Sequence, residues 1–181
     1  MDSINNLKNC RVYLVGAMDR VKDGGVGWRE KISKHLSKIG IKILDPCKKL
    51  INKLSEDEAR PKIELYKRSG QFSKIKKEFG IIRCADLRCV DVSDFIIAHI
   101  DITAHACGTY EEIVTANRQK KPILVWCEQG KENAPNWLFF MLPHEHIFSS
   151  MEEIVQYLEK INTEYDTAKL DRWVFFADIN K

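Results

Sequence analysis

The sequence predicts an α/β domain built on a mostly parallel, doubly wound sheet, and three observations carry that expectation. Short β-branched runs alternate with stretches of helical periodicity along most of the chain. One run, Phe95-Ile96-Ile97-Ala98, is apolar on both faces, as a strand covered by helices on each side must be. At 181 residues the chain has the length of one ordinary domain, enough to bury roughly two thirds of its unfolded surface.

The elements follow in order. Residues 11 to 16 read as the first strand, and Trp28, Ile32, Leu36 and Ile39 then recur at helical spacing up to Gly40. Ile41-Lys42-Ile43-Leu44 is the second strand, stopped by Asp45-Pro46 because a residue before proline avoids the helical region. Phe95 to Ile100 is the third strand, Thr109 to Arg118 a helix, and Pro122 to Cys127 the fourth strand. Ile147-Phe148 is a short fifth strand before Ser150, which caps a helix with Ile154, Val155 and Leu158 facing inward. The expected strand order is 2-1-3-4-5, that of a flavodoxin-like sheet.

One segment breaks the alternation. Cys47 to Gly80 holds 10 Lys or Arg against 5 Asp or Glu, so its local charge is +5 while the rest of the chain is slightly acidic. We expect residues 46 to 80 to form a basic helical insertion over the ligand edge, a lid with a solvated outer face; a site for phosphate-bearing substrates is the other reading. The whole chain, 1 to 181, is expected to be a single domain, with 162 to 181 as a C-terminal extension carrying the apolar cluster Trp173-Val174-Phe175-Phe176.

Composition excludes several classes. A net charge of +3 is too small to argue for a nucleic-acid polymer. No apolar run approaches the roughly 18 residues of a membrane span, and Met1 to Asn6 is no signal peptide, so a cytoplasmic protein with reduced cysteines is expected. The six cysteines contain no C-x-x-C pair, and His99, Asp101 and His105 lack a fourth ligand at suitable spacing, so neither metal nor cofactor is expected. Cys10, Cys84 and Cys127 should pack as small apolar groups. Cys107, beside Gly108 at a helix start, is a possible thiolate nucleophile.

The most informative stretch runs from Asp86 to Asn117. The loop after the third strand lies at its carboxyl end, where open α/β sheets bind ligands, and Glu112 follows in the first turn of the next helix. Thr109-Tyr110-Glu111-Glu112 also fits a capping box, with Glu112 reaching back to the amide of Thr109. The two readings assign Glu112 to chemistry or to local stability.

The chain resembles the nucleoside 2-deoxyribosyltransferase family, which includes related nucleoside and nucleotide N-glycosidases. Four features, in order over roughly residues 10 to 160, carry the likeness: Val12-Tyr13-Leu14-Val15-Gly16, Asp86-Leu87 with Ser93-Asp94, Gly108-Thr109-Tyr110-Glu111-Glu112-Ile113, and Pro135-Asn136. The resemblance implies Glu112 as nucleophile, Tyr13 as the residue that orients it, Asp86 near the departing base, and Asn136 reaching a neighbouring subunit's site in a homo-oligomer. It also implies substrate contacts from Gly16, Ala17, Met18 and Asp19 in the first loop, and from Asp94, Gly108 and Thr109. The family's sugar-binding acidic residue falls on Ala106 here; Asp101 or His105 is expected to substitute. Val114 stands where the family often has glycine.

Those residue types suit cleavage of an N-glycosidic bond. A carboxylate stabilises or traps an oxocarbenium-like sugar, and a second, protonated group helps the base leave. We expect the helix dipole to hold Glu112 anionic and a drier Asp86 to carry the proton. The first loop, with Gly16, Gly24, Gly25 and Gly27, has room for a phosphate near Arg20, Lys22 or Arg29, but Asp19 and Asp23 oppose one. Ala17 and Asn136, where nucleotide-cleaving relatives tend to carry serines, favour a nucleoside. Transfer of the sugar to a second base is the leading expectation. Hydrolysis of a nucleoside or 5′-monophosphate and a catalytically silent nucleotide sensor are the alternatives. Trp137, Phe139, Phe140 and Met141 form an aromatic group suited to a subunit interface.

Overall fold

In the computed structural model, which describes residues 4–19, 21–49, 56–164 and 172–173, five parallel strands form one sheet in the order β2-β1-β3-β4-β5. The strands are β1 (Arg11–Gly16), β2 (Lys42–Leu44), β3 (Phe95–Ile100), β4 (Ile123–Cys127) and β5 (Ile147–Phe148). The helices are α1 (Val26–Lys38), α2 (Glu56–Arg68), α3 (Phe72–Val92), α4 (Cys107–Arg118), α5 (Asn136–Met141) and α6 (Met151–Thr163). The expected flavodoxin-like α/β sheet is therefore present.

Two apolar cores sandwich it, because successive side chains of a strand point to opposite faces. Val12 and Leu14 of β1 pack with Trp28, Ile32 and Leu36 of α1 and Ile154, Leu158 and Ile161 of α6. Tyr13 and Val15, one residue out of phase, join Val90 of α3 and Ile113 and Ala116 of α4 on the other face. Each fully buried Leu or Ile contributes roughly 1.5–3 kcal/mol relative to an exposed one, so this alternation fixes which β1 side chains meet which helices.

After β2, Asp45 accepts a hydrogen bond from the Cys47 amide (3.0 Å), and two helices that pack on each other follow, α2 and α3. Helix α3 runs on to Val92, twelve residues beyond the expected end of the insertion at 80, and its last turns carry Asp86 and bury Val90 against the sheet. Of the cysteines expected to pack inside, Cys127 is buried and Cys10 half-buried, but Cys84 is exposed, since it falls on the solvent side of α3. Trp173 docks on the same domain: it is fully buried, its ring lies 4.9 Å from that of Phe95, and its Nε1 donates to Tyr157 Oη (3.0 Å). Arg20 and Val174-Phe175-Phe176 lie outside the described residues. No described helix is long and apolar enough to cross a membrane.

Candidate active site

Tyr13 organises the site. As the middle residue of β1 it is driven into the α3/α4 face by strand alternation, and its side chain is 1% exposed. Its hydroxyl reaches Glu112 Oε1 at 2.8 Å and Asp86 Oδ1 at 2.9 Å. Sequence positions 13, 86 and 112 thus converge, from a strand, a long helix and the helix that follows β3. They line a cavity of about 420 Å³ that also contains Gly16, Ala17, Met18, Asp19, His105, Gly108 and Thr109. That size lies within the usual range for small-molecule sites, roughly 300–1,000 Å³.

Helix α4 starts at Cys107, two residues earlier than expected, with Ala106 at its N-cap and no side-chain cap. Glu112 therefore sits in the second turn, and the capping-box reading fails: its carboxylate bonds Tyr13, not a backbone amide. The dipole argument fails with it, because that field fades beyond the first turn. Burial instead pushes the Glu112 carboxyl up to about 7, with the neighbouring Asp86 adding to the rise and the Tyr13 hydrogen bond opposing it. Glu112 is 8% exposed, so its charged form has lost most of its water. Burial, followed by the two adjacent carboxylates, also raises the Tyr13 phenol, which stays protonated.

The drier of the two carboxyls is Glu112, not Asp86 as expected. Asp86 forms an ion pair with Lys49, at side-chain exposures of 19% and 15%, so the drier, cation-poor position belongs to Glu112. Lys49 was missed in the sequence because it stands within the basic run taken as an insertion. The pertinent signal was its place four residues past Asp45-Pro46, at the carboxyl end of β2. Glu111, on the solvent side, pairs with Arg83 of α3 (Nε to Oε2 2.8 Å), which holds its carboxyl below the usual range.

Not every expected site residue joins this group. Asp94 precedes β3, at the amino edge, where it accepts from the Arg11 amide (2.6 Å) and pairs with the Arg11 guanidinium (3.3 Å); it is a strand-anchoring residue at the wrong end of the sheet. Asp101 accepts from the Thr103 amide (2.9 Å) and hydroxyl (2.7 Å) and from Gln129 Nε2 (2.7 Å), and lines a different cavity. It does not replace the acid missing at Ala106, whereas His105 is in the wall of the Glu112 cavity. Asn136 begins α5 and is not in that wall. Asp19 is in the wall, paired with Arg60 at 3.5 Å.

The Gly25 and Gly27 amides of the first loop are already taken. Asp23 takes the Gly25 and Gly27 amides (2.9 Å each) at the start of α1. Arg29, 1% exposed, gives its guanidinium to the carbonyls of Leu14 (3.2 Å), Gly25 (2.8 Å) and Gly16 (2.9 Å). Gly25 is required there: its φ is +75°, and a Cβ would lie 2.6 Å from the Ala17 carbonyl oxygen. Among the described residues, no group of three His, Cys, Asp or Glu side chains is placed to hold a metal ion.

No protein-family model matches the chain, and no curated protein does. Among solved structures, the chain is similar to the 2-deoxyribosyltransferase of Bacillus psychrosaccharolyticus, at 14% identity and a TM-score of 0.55 over 89% of this chain and 96% of that one. It also matches a CMP N-glycosidase from Clostridium botulinum, at 18% identity and a TM-score of 0.39 over 82% of this chain and 98% of that one. At this identity the likeness establishes the fold: the chain has the α/β architecture of the Bacillus 2-deoxyribosyltransferase.

Proposed function

We propose that the protein cleaves the N-glycosidic bond of a nucleoside and passes the sugar to a second base, with Glu112 as nucleophile. The observation that carries this reading is the Tyr13 hydroxyl set between Glu112 and Asp86 in one small-molecule cavity. The likeness in fold and the ordered motifs around Tyr13, Asp86 and Glu112 support it. In the first half-reaction the C1′–N bond breaks with its electron pair on the base, which takes a proton from the Lys49–Asp86 pair. A Glu112 carboxylate oxygen bonds C1′. In the second half the nitrogen of an incoming base attacks C1′, its proton returns to the pair, and Glu112 is released. Tyr13 orients the carboxylate, and as a hydrogen-bond donor it spreads the charge that builds up when Glu112 leaves.

A nucleoside fits better than a nucleotide, because Asp23 already occupies the Gly25 and Gly27 amides and three backbone carbonyls occupy the Arg29 guanidinium. Asn136 is proposed to complete the site of a neighbouring subunit. The exposure of Trp137 (67%) and Phe140 (75%) on the same short helix favours a covered α5 in a homo-oligomer. Incubating the protein with deoxynucleosides, with and without a free acceptor base, tests the reaction by chromatography. A new nucleoside is the expected product. Free sugar alone assigns hydrolysis with water as acceptor, and unchanged substrate in both arms overturns the enzymatic reading in favour of a silent sensor.

A further inference from the structure

A second cavity, of about 500 Å³, opens on the other face of the sheet's carboxyl edge. His99 of β3 and its cross-strand neighbour Trp126 of β4 line it, and His99 also pairs with Gly16 of β1. Gly16 has no side chain, and Trp28 from α1 fills the space above it; a Cβ at Gly16 would sit 3.0 Å from the Trp28 ring. Three flat rings therefore line one wall, with centroids 5.2 Å apart for Trp28 and His99 and 4.3 Å apart for His99 and Trp126. Burial pushes the His99 imidazole down to about 4, so this surface is uncharged at neutral pH.

The polar groups of the cavity are incomplete. Trp28 is 8% exposed, and its Nε1–H is buried without an acceptor among the described residues, beside Gly25, another wall residue. His99 Nε2 is likewise buried and makes no hydrogen bond, although Glu128 Oε2 stands 3.2 Å away, misaligned. Among the described residues, the lining carries four carboxylates, Asp23, Asp101, Glu128 and Glu152, against one cation, Lys31. Asp23 and Asp101 are engaged by the loop, whereas Glu128 is half exposed and faces the rings. A planar ring that stacks on this wall and carries an amine for Glu128 fits this lining. The acidic lining disfavours a phosphate.

We propose that this cavity is a second binding site, separate from the one around Glu112, for an amino-bearing heteroaromatic base such as adenine or cytosine. The ring stacks on the Trp28–His99–Trp126 wall, and its exocyclic amine donates to Glu128. The inference stands on the chemistry of this cavity and not on the role given to Glu112. Ala17 lines both cavities, so occupancy of one is adjacent to the other.

Tryptophan fluorescence reads the site selectively, since Trp28 and Trp126 line it and no tryptophan lines the Glu112 cavity. Titrating the full chain with adenine and with cytosine should quench saturably. Hypoxanthine and uracil, with a carbonyl in place of the amine, should bind at least about tenfold more weakly, the usual penalty for losing a hydrogen bond to a charged group. Glu128→Gln, at an exposed position, should weaken adenine and cytosine by a similar factor without shifting the melting temperature. No quenching at millimolar base, equal binding of the deaminated rings, equal or tighter binding of CMP, or quenching unchanged in Glu128→Gln would each overturn the proposal.

Discussion

Tyr13 has one proton and two carboxylates within hydrogen-bond distance, so its hydroxyl satisfies only one of them as a donor. The second contact is favourable when the other carboxyl carries a proton, and the Lys49 ammonium against Asp86 leaves Glu112 as that carboxyl. This has a consequence for stability. A carboxyl raised from an ordinary 4.5 to about 7 binds more protons in the folded chain than in the unfolded one. Its stabilising contribution is therefore complete below pH 4.5 and is lost as pH rises through 7, by roughly 3 kcal/mol in all. Denaturant unfolding across that range should show the loss in wild type and its absence in Glu112→Gln. The activity that depends on an ionised Glu112 should rise over the same interval, the opposite direction. Glu112→Gln should also lose most of that activity, roughly 4 kcal/mol or more of transition-state stabilisation, with no drop in melting temperature at pH 8. Glu111→Gln, which breaks only a solvent-side pair with Arg83, should keep much of it. Equal losses in the two variants would remove Glu112 from the role of nucleophile.

Among the elements, α6 and α4 start in different ways. Ser150 Oγ accepts from the Glu153 amide (3.2 Å), and Glu153 Oε2 accepts in return from the Ser149 amide (2.8 Å). Ser150→Ala should cost about 1 kcal/mol in urea unfolding without altering catalysis, and a neutral result would mean that water caps the helix equally well. Helix α4 has no such cap; the four-residue pattern at Thr109 that suggests one lies inside the helix, where Thr109 is buried and Glu112 turns toward Tyr13. A capping box read from sequence assumes where the helix begins. Here the start lies two residues upstream, so the same letters carry an interior side chain to the site. Ser150 was legible because an apolar periodicity follows it and a strand immediately precedes it.

For the whole molecule, the open question is what covers α5. Trp137 and Phe140, 67% and 75% exposed with rings 6.0 Å apart, project beyond the α3/α4 core, while Leu138 between them is buried. In the proposed oligomer these rings bury against a second chain and Asn136 reaches its Glu112 cavity. Mixing inactive Glu112→Ala chains with inactive Asn136→Ala chains should then restore part of the activity, because a hybrid interface pairs an intact Glu112 with an intact Asn136. Complementation should be absent if light scattering finds a fully active monomer, and absence despite proven subunit exchange would retire the shared site.

The strands, their order and the convergence of Tyr13, Asp86 and Glu112 at one edge were legible in the linear chain. Period-two apolar runs and the connection lengths between them leave few ways to build a parallel sheet. Asp94 was misread because its role was carried over from the resemblance: the third strand, read from the sequence as beginning at Phe95, already puts Asp94 at the amino edge. The charge state of the site was decided only by the tertiary structure. Whether Glu112 or Asp86 is the drier carboxyl depends on the approach of Lys49 and on how fully α4 and β1 exclude water, both of them contacts between residues far apart in sequence. The second cavity is of the same kind: Gly16, Trp28, His99 and Trp126 share no motif, and only strand register brings their rings together over the space that a missing side chain leaves.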